Sequence, residues 1–354
     1  MRRLTAASAL VLLLSGRASA QEAHASAVAI DTVASVDETV DARGNHVTGA
    51  LFDSVISIGL GHHVEAVFRP YAQRLPSGEW NRQVWVATLR YEHQGAIGVR
   101  LDAGLIPSPV GYANMLLRPH LNPVISQPSS LFTPLPAMEP GGPRGTLLGA
   151  LYPYGFNLTV SHRWWDARGA VIDTSPLRAR RIFAETNPPR FTNVVVGGGI
   201  RPLFGLRLGA SLTHGGWLRA GESPTLTTDQ DATVITVEGE YSAGYTKVAG
   251  EWTRDAVGTS HGDTSVSGWF VQGQQTLTPR WFTAARVERM SGRAFRTATN
   301  TFDQLSFTGS EEIVGFRLTP GITLRGGHRM REAFGATGYV HSGTLSIVWW
   351  RRWS

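Results

Sequence analysis

The sequence predicts an all-β protein, a transmembrane antiparallel β-barrel of about 16 strands with one long loop folded into its lumen. Three observations predict it. Period-two alternation of apolar and polar residues recurs down the 354-residue chain, with Gly, Pro, Asn and Asp clusters between the alternating segments. Most segments run ten to fourteen residues, long enough to cross hydrocarbon when tilted and about twice the usual soluble strand. Of eleven tryptophans, Trp80, Trp164, Trp165, Trp217, Trp281, Trp349, Trp350 and Trp353 fall at or near strand ends, where an amphipathic ring sits between hydrocarbon and headgroups. A soluble sandwich would also alternate and could bury tryptophans in its core, so strand length and aromatic placement carry the choice.

The chain opens with Arg2 and Arg3, an apolar run over 4–14 and the small triplet Ala18-Ser19-Ala20. That pattern predicts a secretory signal peptide over residues 1–20 and a barrel over 21–354, because the run is far shorter than the roughly 20 residues a spanning helix needs. Removing Arg2, Arg3 and Arg17 leaves 30 basic residues against 27 acids, a net charge of +3, too small to argue for nucleic acid. Lys247 is the only lysine, and there is no cysteine. Stability must therefore come from burial or backbone pairing, although an exported protein could have used disulfides.

Taken in order, strands are expected near 27–39, 48–58, 62–72, 82–93 and 96–105, then at 146–152 and 156–164. In "GAIGVRLDAGL", Ile97, Val99, Leu101, Ala103 and Leu105 share one face, opposed by Gly98, Arg100, Asp102 and Gly104. An external loop is expected over 165–190, followed by strands near 191–200, 203–213, 232–241, 245–255, 264–277, 281–290, 305–318, 322–331 and 340–353. Tight turns at 201–202, 242–244, 277–280 and 319–321 would all lie on the periplasmic side, with the longer loops external. Sixteen is even, as single-chain barrels of this kind require, and fourteen is the alternative. The 305–318 segment changes phase between Phe307 and Val314, which calls for a bulge or different boundaries. The last strand alternates Leu345, Ile347 and Trp349 against Thr344, Ser346 and Val348; Arg351 falls on its apolar face and would have to snorkel.

One stretch breaks the pattern. Residues 106–145 are crowded with Pro and Gly, yet carry Tyr112, Met115, Leu116, Leu117, Leu131, Phe132, Leu135 and Met138. A connection of that length is functional or disordered, and these side chains need a wall to pack on. A sixteen-strand barrel is too wide for its own side chains to fill, so the segment is expected to fold inward and narrow the lumen. An external loop over the mouth, or one making subunit contacts, is the alternative.

At these residues the chain resembles trimeric outer-membrane porins, most nearly the phosphate-selective porin O and P family. "LDAGLIPSPVGY" is similar to that family's strand leading into a Pro and Gly turn, "GPRGTLLGAL" to its return strand, and "GIRPLFGLRLGASLTHGGW" to a periplasmic hairpin. The resemblance extends loosely over residues 50–354. It implies a sixteen-strand, homotrimeric diffusion channel of the bacterial outer membrane whose inward loop forms the constriction. The last stretch, "YVHSGTLSIVWWRRWS", resembles the C-terminal strand of bacterial outer-membrane barrels, which implies the barrel assembly machinery as a partner, and outer-membrane lipid and lipopolysaccharide are the other partners expected. The family's best-known members line the pore with lysines as well as arginines, and this chain departs from that pattern.

Alternation makes Arg90, Arg100, Asp102, Arg207, Lys247, Arg286, Arg317 and Arg325 the pore-lining candidates, with Glu92, Glu251 and Glu288 among them. In the loop, Arg118, His120 and Arg144 face one acid, Glu139. The imbalance suggests a weak anion preference, unless the charges pair across the wall and leave little field. The tract 176–183, "PLRARRIF", is an alternative site for lipid phosphates. No catalytic residue, cofactor or metal is expected. Ser260 and His261 of "GTSHG" fit Gly-x-Ser-x-Gly without the helix that motif requires, and His62, His63 and Glu65 diverge on a strand. An outer-membrane lipid-modifying hydrolase and a structural or adhesive barrel are therefore the alternatives to passive diffusion of small polar solutes.

Overall fold

An amphipathic segment satisfies its backbone by pairing along both edges, and sixteen segments do so here in a ring. The computed structural model describes residues 28–75, 77–149, 151–178, 190–332, 334–336 and 338–354. The signal-peptide segment and residues 179–183 of the basic tract lie outside the described residues. The strands are β1 (Val28–Asp41), β2 (His46–Gly59), β3 (Val64–Arg74), β4 (Trp80–His93), β5 (Gly98–Leu105), β6 (Tyr154–Ser161), β7 (Trp165–Ile172) and β8 (Asn193–Leu203). They continue as β9 (Leu206–Leu218), β10 (Gln230–Ala243), β11 (Thr246–Val257), β12 (Thr264–Thr276), β13 (Trp281–Arg296), β14 (Thr301–Thr319), β15 (Ile322–Arg331) and β16 (Val340–Trp353). Each pairs antiparallel with its chain neighbours. The ring closes between β1 and β16, from Ile30 opposite Trp353 to Asp41 opposite Ser342, and closure leaves no sheet edge unpaired.

Burial is inverted relative to a water-soluble protein. Phe52, Leu89, Phe156, Val196, Val237, Val287 and Ile347 stand exposed on the outer face, whereas Asp53, Asp102, Glu238, Arg286 and Arg325 are buried on the inner one. Charged groups are almost never fully buried unless paired, so the inner face has to supply their partners and the outer face has to meet lipid.

Short turns and both barrel termini share one end, where Trp164, Phe204, Tyr245, Leu277 and Trp281 are exposed. Two of the expected rim tryptophans turn inward instead. Trp217 is buried and donates its indole N–H to the Gly258 carbonyl at 2.8 Å, and Trp350 donates to Asp31 at 3.0 Å.

The strand count stands at sixteen, but two assignments move. The described residues of 146–152 form no strand: Leu147 and Leu148 are both buried, which period-two alternation does not allow. The missing strand is β7, inside the segment expected to be an external loop. Its outer face carries small Ala167 and Gly169 between Trp165 and Val171, so the apolar signal there is faint. The β8–β9 turn falls at Phe204 and Gly205, not at 201–202; Gly205 takes φ +82°, a conformation only glycine adopts cheaply. β14 needs no bulge at the phase change. Its register with β13 runs unbroken from Thr301 to Phe316, and Phe307 faces inward, 2 % exposed. A real irregularity lies at Pro70, where the β3–β4 register shifts and Trp85 turns inward to stack on Tyr71 at 3.5 Å.

The inner face of Gly315 lies against the ring of Phe282, which a Cβ there would strike, and the Arg317 guanidinium sits 4.8 Å above the same ring. Gly315→Val should destabilise the refolded barrel by about 1–3 kcal/mol through overpacking, read as a lower urea midpoint; an unchanged midpoint would contradict this packing.

Candidate functional site

Irregular backbone carries polar groups with no ladder to satisfy them, and residues 106–153, between β5 and β6, meet that need on the inner wall. Gly111, at φ +74°, lets the amides of Tyr112 and Ala113 converge on the Glu251 carboxylate of β11. The Tyr112 hydroxyl donates to Glu240 at 2.8 Å. Ser129 donates its amide (2.9 Å) and hydroxyl (2.6 Å) to Glu288 of β13, and the amides of Ile125 and Ser126 donate to Glu311 of β14 at 3.1 Å.

The arginines do the converse. Arg286 donates to the carbonyls of Ser126 and Gln127, each at 2.9 Å. Arg325 gathers the carbonyls of Pro119, Asn122 and Val124 at 3.2, 3.2 and 2.9 Å. Such charge-assisted bonds are roughly twice as strong as neutral ones.

Apolar contacts complete the attachment. Ile106, Leu116, Leu117, Leu131, Leu135 and Met138 join one buried cluster with inward-facing Val234, Val266, Phe270, Met290 and Phe307. Met115 and Phe132, in contrast, remain 44 % exposed.

The candidate residues fall into three groups. Arg286 and Arg325 hold the segment in place and are almost fully enclosed. Arg118 belongs with them, bonded to Asp31 at 2.8 Å and lying 3.5 Å from Asp53. His120 stacks on Trp350, and burial, with the charge of Arg118 beside it, pushes its pKa down to about 4, so it is neutral at pH 7. Glu139 is buried where the long loops converge, accepting from Ser223, Thr225 and Ser260. Burial alone would raise its pKa, and these hydrogen bonds outweigh that and hold it below the ordinary carboxylate value.

A second group keeps contact with solvent. The side chains of Arg100, Arg207 and Lys247 are 37, 26 and 36 % exposed, against 1 % for Arg286. Nearly all of these charges are paired. Arg90 bonds Asp102 at 2.7 Å and Glu65 at 2.9 Å, Arg100 bonds Asp102 at 2.7 Å, and Lys247 lies 2.8 Å from Glu240. The third group is Arg317 and Arg144, which make no ion pair with an acid among the described residues; Arg144 is exposed. Glu92, half-buried near a strand end, accepts from Gln94 at 2.7 Å.

Alternation read from β7 would have added Asp166 and Arg168, which the misplaced loop hid. On the wall of β7 to β10, Arg201 and Arg207 flank Asp166 at 3.3 and 2.9 Å, while Arg207 and Arg168 approach Glu238 at 2.7 and 3.6 Å. Three arginines thus meet two acids. Gly199 and Gly209 face inward beneath the Arg207 guanidinium, where a Cβ would come within 3 Å of its nitrogens, so the side chain can lie flat against the wall.

The two enzymatic motifs give no such assembly. The Ser260 hydroxyl donates to Glu139 at 2.6 Å, and the His261 ring stacks on Phe295 at 3.8 Å in a loop between two strands. His63 packs on Tyr91 and His93 with its Nδ1 3.2 Å from the Glu92 carbonyl.

Several solved barrels share this fold. OmpF of Salmonella typhi, solved with daunomycin, superposes with a TM-score of 0.62 at 10% identity, over 92% of this chain and 97% of that one. OmpT, an outer membrane protein of Vibrio cholerae, gives 0.60 at 9% identity over 94% and 100%. An anion-selective porin from Comamonas acidovorans gives 0.56 at 11% identity over 92% and 98%. No protein-family model and no curated protein matches the sequence. The chain therefore has the fold of a bacterial outer-membrane β-barrel, one that porins share.

Arg325→Ala would leave three buried carbonyls without a donor. It should lower stability by about 3 kcal/mol and speed proteolytic cleavage within 106–145. Unaltered cleavage and an unaltered urea midpoint would show that Arg325 does not hold the segment.

Proposed function

We propose that this chain is a porin of the bacterial outer membrane, allowing passive diffusion of small polar solutes, with residues 106–145 as its constriction. The observation that carries the reading is an asymmetry of the inner wall. On β13 to β15 Arg286, Glu288, Glu311 and Arg325 are closed over by the loop, while Arg100, Arg201, Arg207 and Lys247 keep 26–37 % of their side-chain surface. A passage left open along that wall would be lined by paired charges with arginine in slight excess.

The excess supports a weak preference for anions, phosphate-like ones included. It is weak because pairing across neighbouring strands cancels most of the field. The resemblance to porins O and P brings a homotrimer into the same reading, and the C-terminal strand brings insertion by the barrel assembly machinery.

The hydrolase reading has less support. A nucleophile needs a base within hydrogen-bond reach, and the Ser260 hydroxyl is already given to a carboxylate that anchors loops. A purely structural barrel would need no solvent-accessible strip of ion pairs.

Purified protein in a planar bilayer under a salt gradient should give stepwise conductance with a reversal potential on the anion side. Replacing Arg201 and Arg207 by Ser should move that potential toward zero. An absence of conductance would defeat the channel reading; a cation-side potential would defeat the arginine argument alone.

A further inference from the structure

On the outer face the apolar band ends upward in a row of polar residues. Along β9 and β10 that row is His214 and Thr233, bonded to each other at 2.9 Å; on β1 it is Glu38, which bonds Thr48 at 2.6 Å and His46 at 3.2 Å. Along β11 to β13 it is different. Arg254 and Arg289 point outward and are exposed, and among the described residues neither has a hydrogen-bond or ion-pair partner. Ser267 lies opposite both Arg254 and Ser291, and Arg289 lies opposite Trp269. Strand spacing then puts the two arginine Cα atoms about 12 Å apart, close enough for both side chains to meet one group above Ser267.

Height fixes what that group is. Arg254 is eight residues along β11 from Thr246, and Arg289 eight along β13 from Trp281, both measured from the short-turn end. At about 3.3 Å per residue and the usual barrel tilt this is roughly 20 Å, near the top of an apolar band about 25 Å tall. Directly below are Trp252, Trp269, Val271 and Val287, all exposed. An unpaired guanidinium is costly within hydrocarbon and falls to almost no cost at the interface, where lipid phosphates lie and match its fork of donors.

We propose that Arg254 and Arg289, with the hydroxyls of Ser267 and Ser291 between them, form a docking site for the phosphate-bearing headgroup of a lipid in the external leaflet. Arg293, one outward position above Ser291 on β13 and bonded to Gln304 at 3.4 Å, extends the site outward. The inference rests on the barrel spanning an outer membrane, and not on its conducting solutes.

The test uses the full-length barrel in neutral detergent and native mass spectrometry. Its probes are an acylated glucosamine disaccharide carrying two phosphates, the same lipid without phosphates, and inorganic phosphate. Each basic residue contributes roughly fivefold at an anionic membrane surface, so Arg254→Gln with Arg289→Gln should weaken the phosphorylated lipid about 30-fold. The phosphate-free lipid should bind equally poorly to both proteins, and Arg254→Lys with Arg289→Lys should keep most of the affinity. Millimolar inorganic phosphate should not displace the lipid. Equal binding to the double Gln variant, equal binding of the two lipids, or displacement by inorganic phosphate would each overturn the proposal. So would a change in oligomer mass with lipid binding intact, which would assign the patch to a protein contact. Heat-modified electrophoretic mobility verifies folding of each variant. Bilayer conductance of the double Gln variant should equal the parent's, since both side chains point away from the bore, so a failure of the channel reading would leave the lipid result standing.

Discussion

Backbone amides in hydrocarbon have no water to bond, and the ring of strand pairs closed between β1 and β16 is the answer this chain adopts. Everything else is conditioned by it. Closing the sheet forces every strand to present one face outward and one inward, so the outer face must be apolar and the inner face is free to be charged. The absence of cysteine from the sequence costs the fold little, because its cross-links are the ladders themselves.

The inner wall then makes a second kind of structure possible. A long proline-rich segment cannot pair with strands, and its carbonyls and amides would be unsatisfied in an apolar interior. Glu251, Glu288 and Glu311 accept from its amides, and Arg286 and Arg325 donate to its carbonyls. Charges that look from the sequence like a lining for solute are in these positions the anchors of the loop. A charged wall can thus be spent on structure in one sector and left to solvent in another.

Most of the architecture was legible because alternation reports the face of a strand directly, as in β5, β9 and β11. It failed where the two faces lost contrast. β7 turns Ala167 and Gly169 outward and was hidden within a loop; Leu147 and Leu148 lie in an interior covered on both sides and mimicked a strand. Phe307 misled in another way, since an aromatic on the inner face is natural only once the segment 106–153 is there to meet it. Which strand charges would stay accessible was not legible at all. Arg207 and Arg286 occupy equivalent inward positions, and long-range contacts alone decide that one is 26 % exposed and the other 1 %. The partners Asp53, Glu65, Glu238 and Glu311 were similarly invisible, because pairing across strands depends on register, and register is not written in any one segment.

The central claim is that adjacent residues of a strand look into different solvents. With no native cysteine in the way, Arg207→Cys and Leu208→Cys in membrane-embedded protein measure it on two neighbours of β9. The account predicts that a charged, membrane-impermeant thiol reagent modifies position 207 and spares 208, while a lipid-soluble maleimide modifies 208. The reverse pattern, or equal reaction at both positions with the charged reagent, would contradict it.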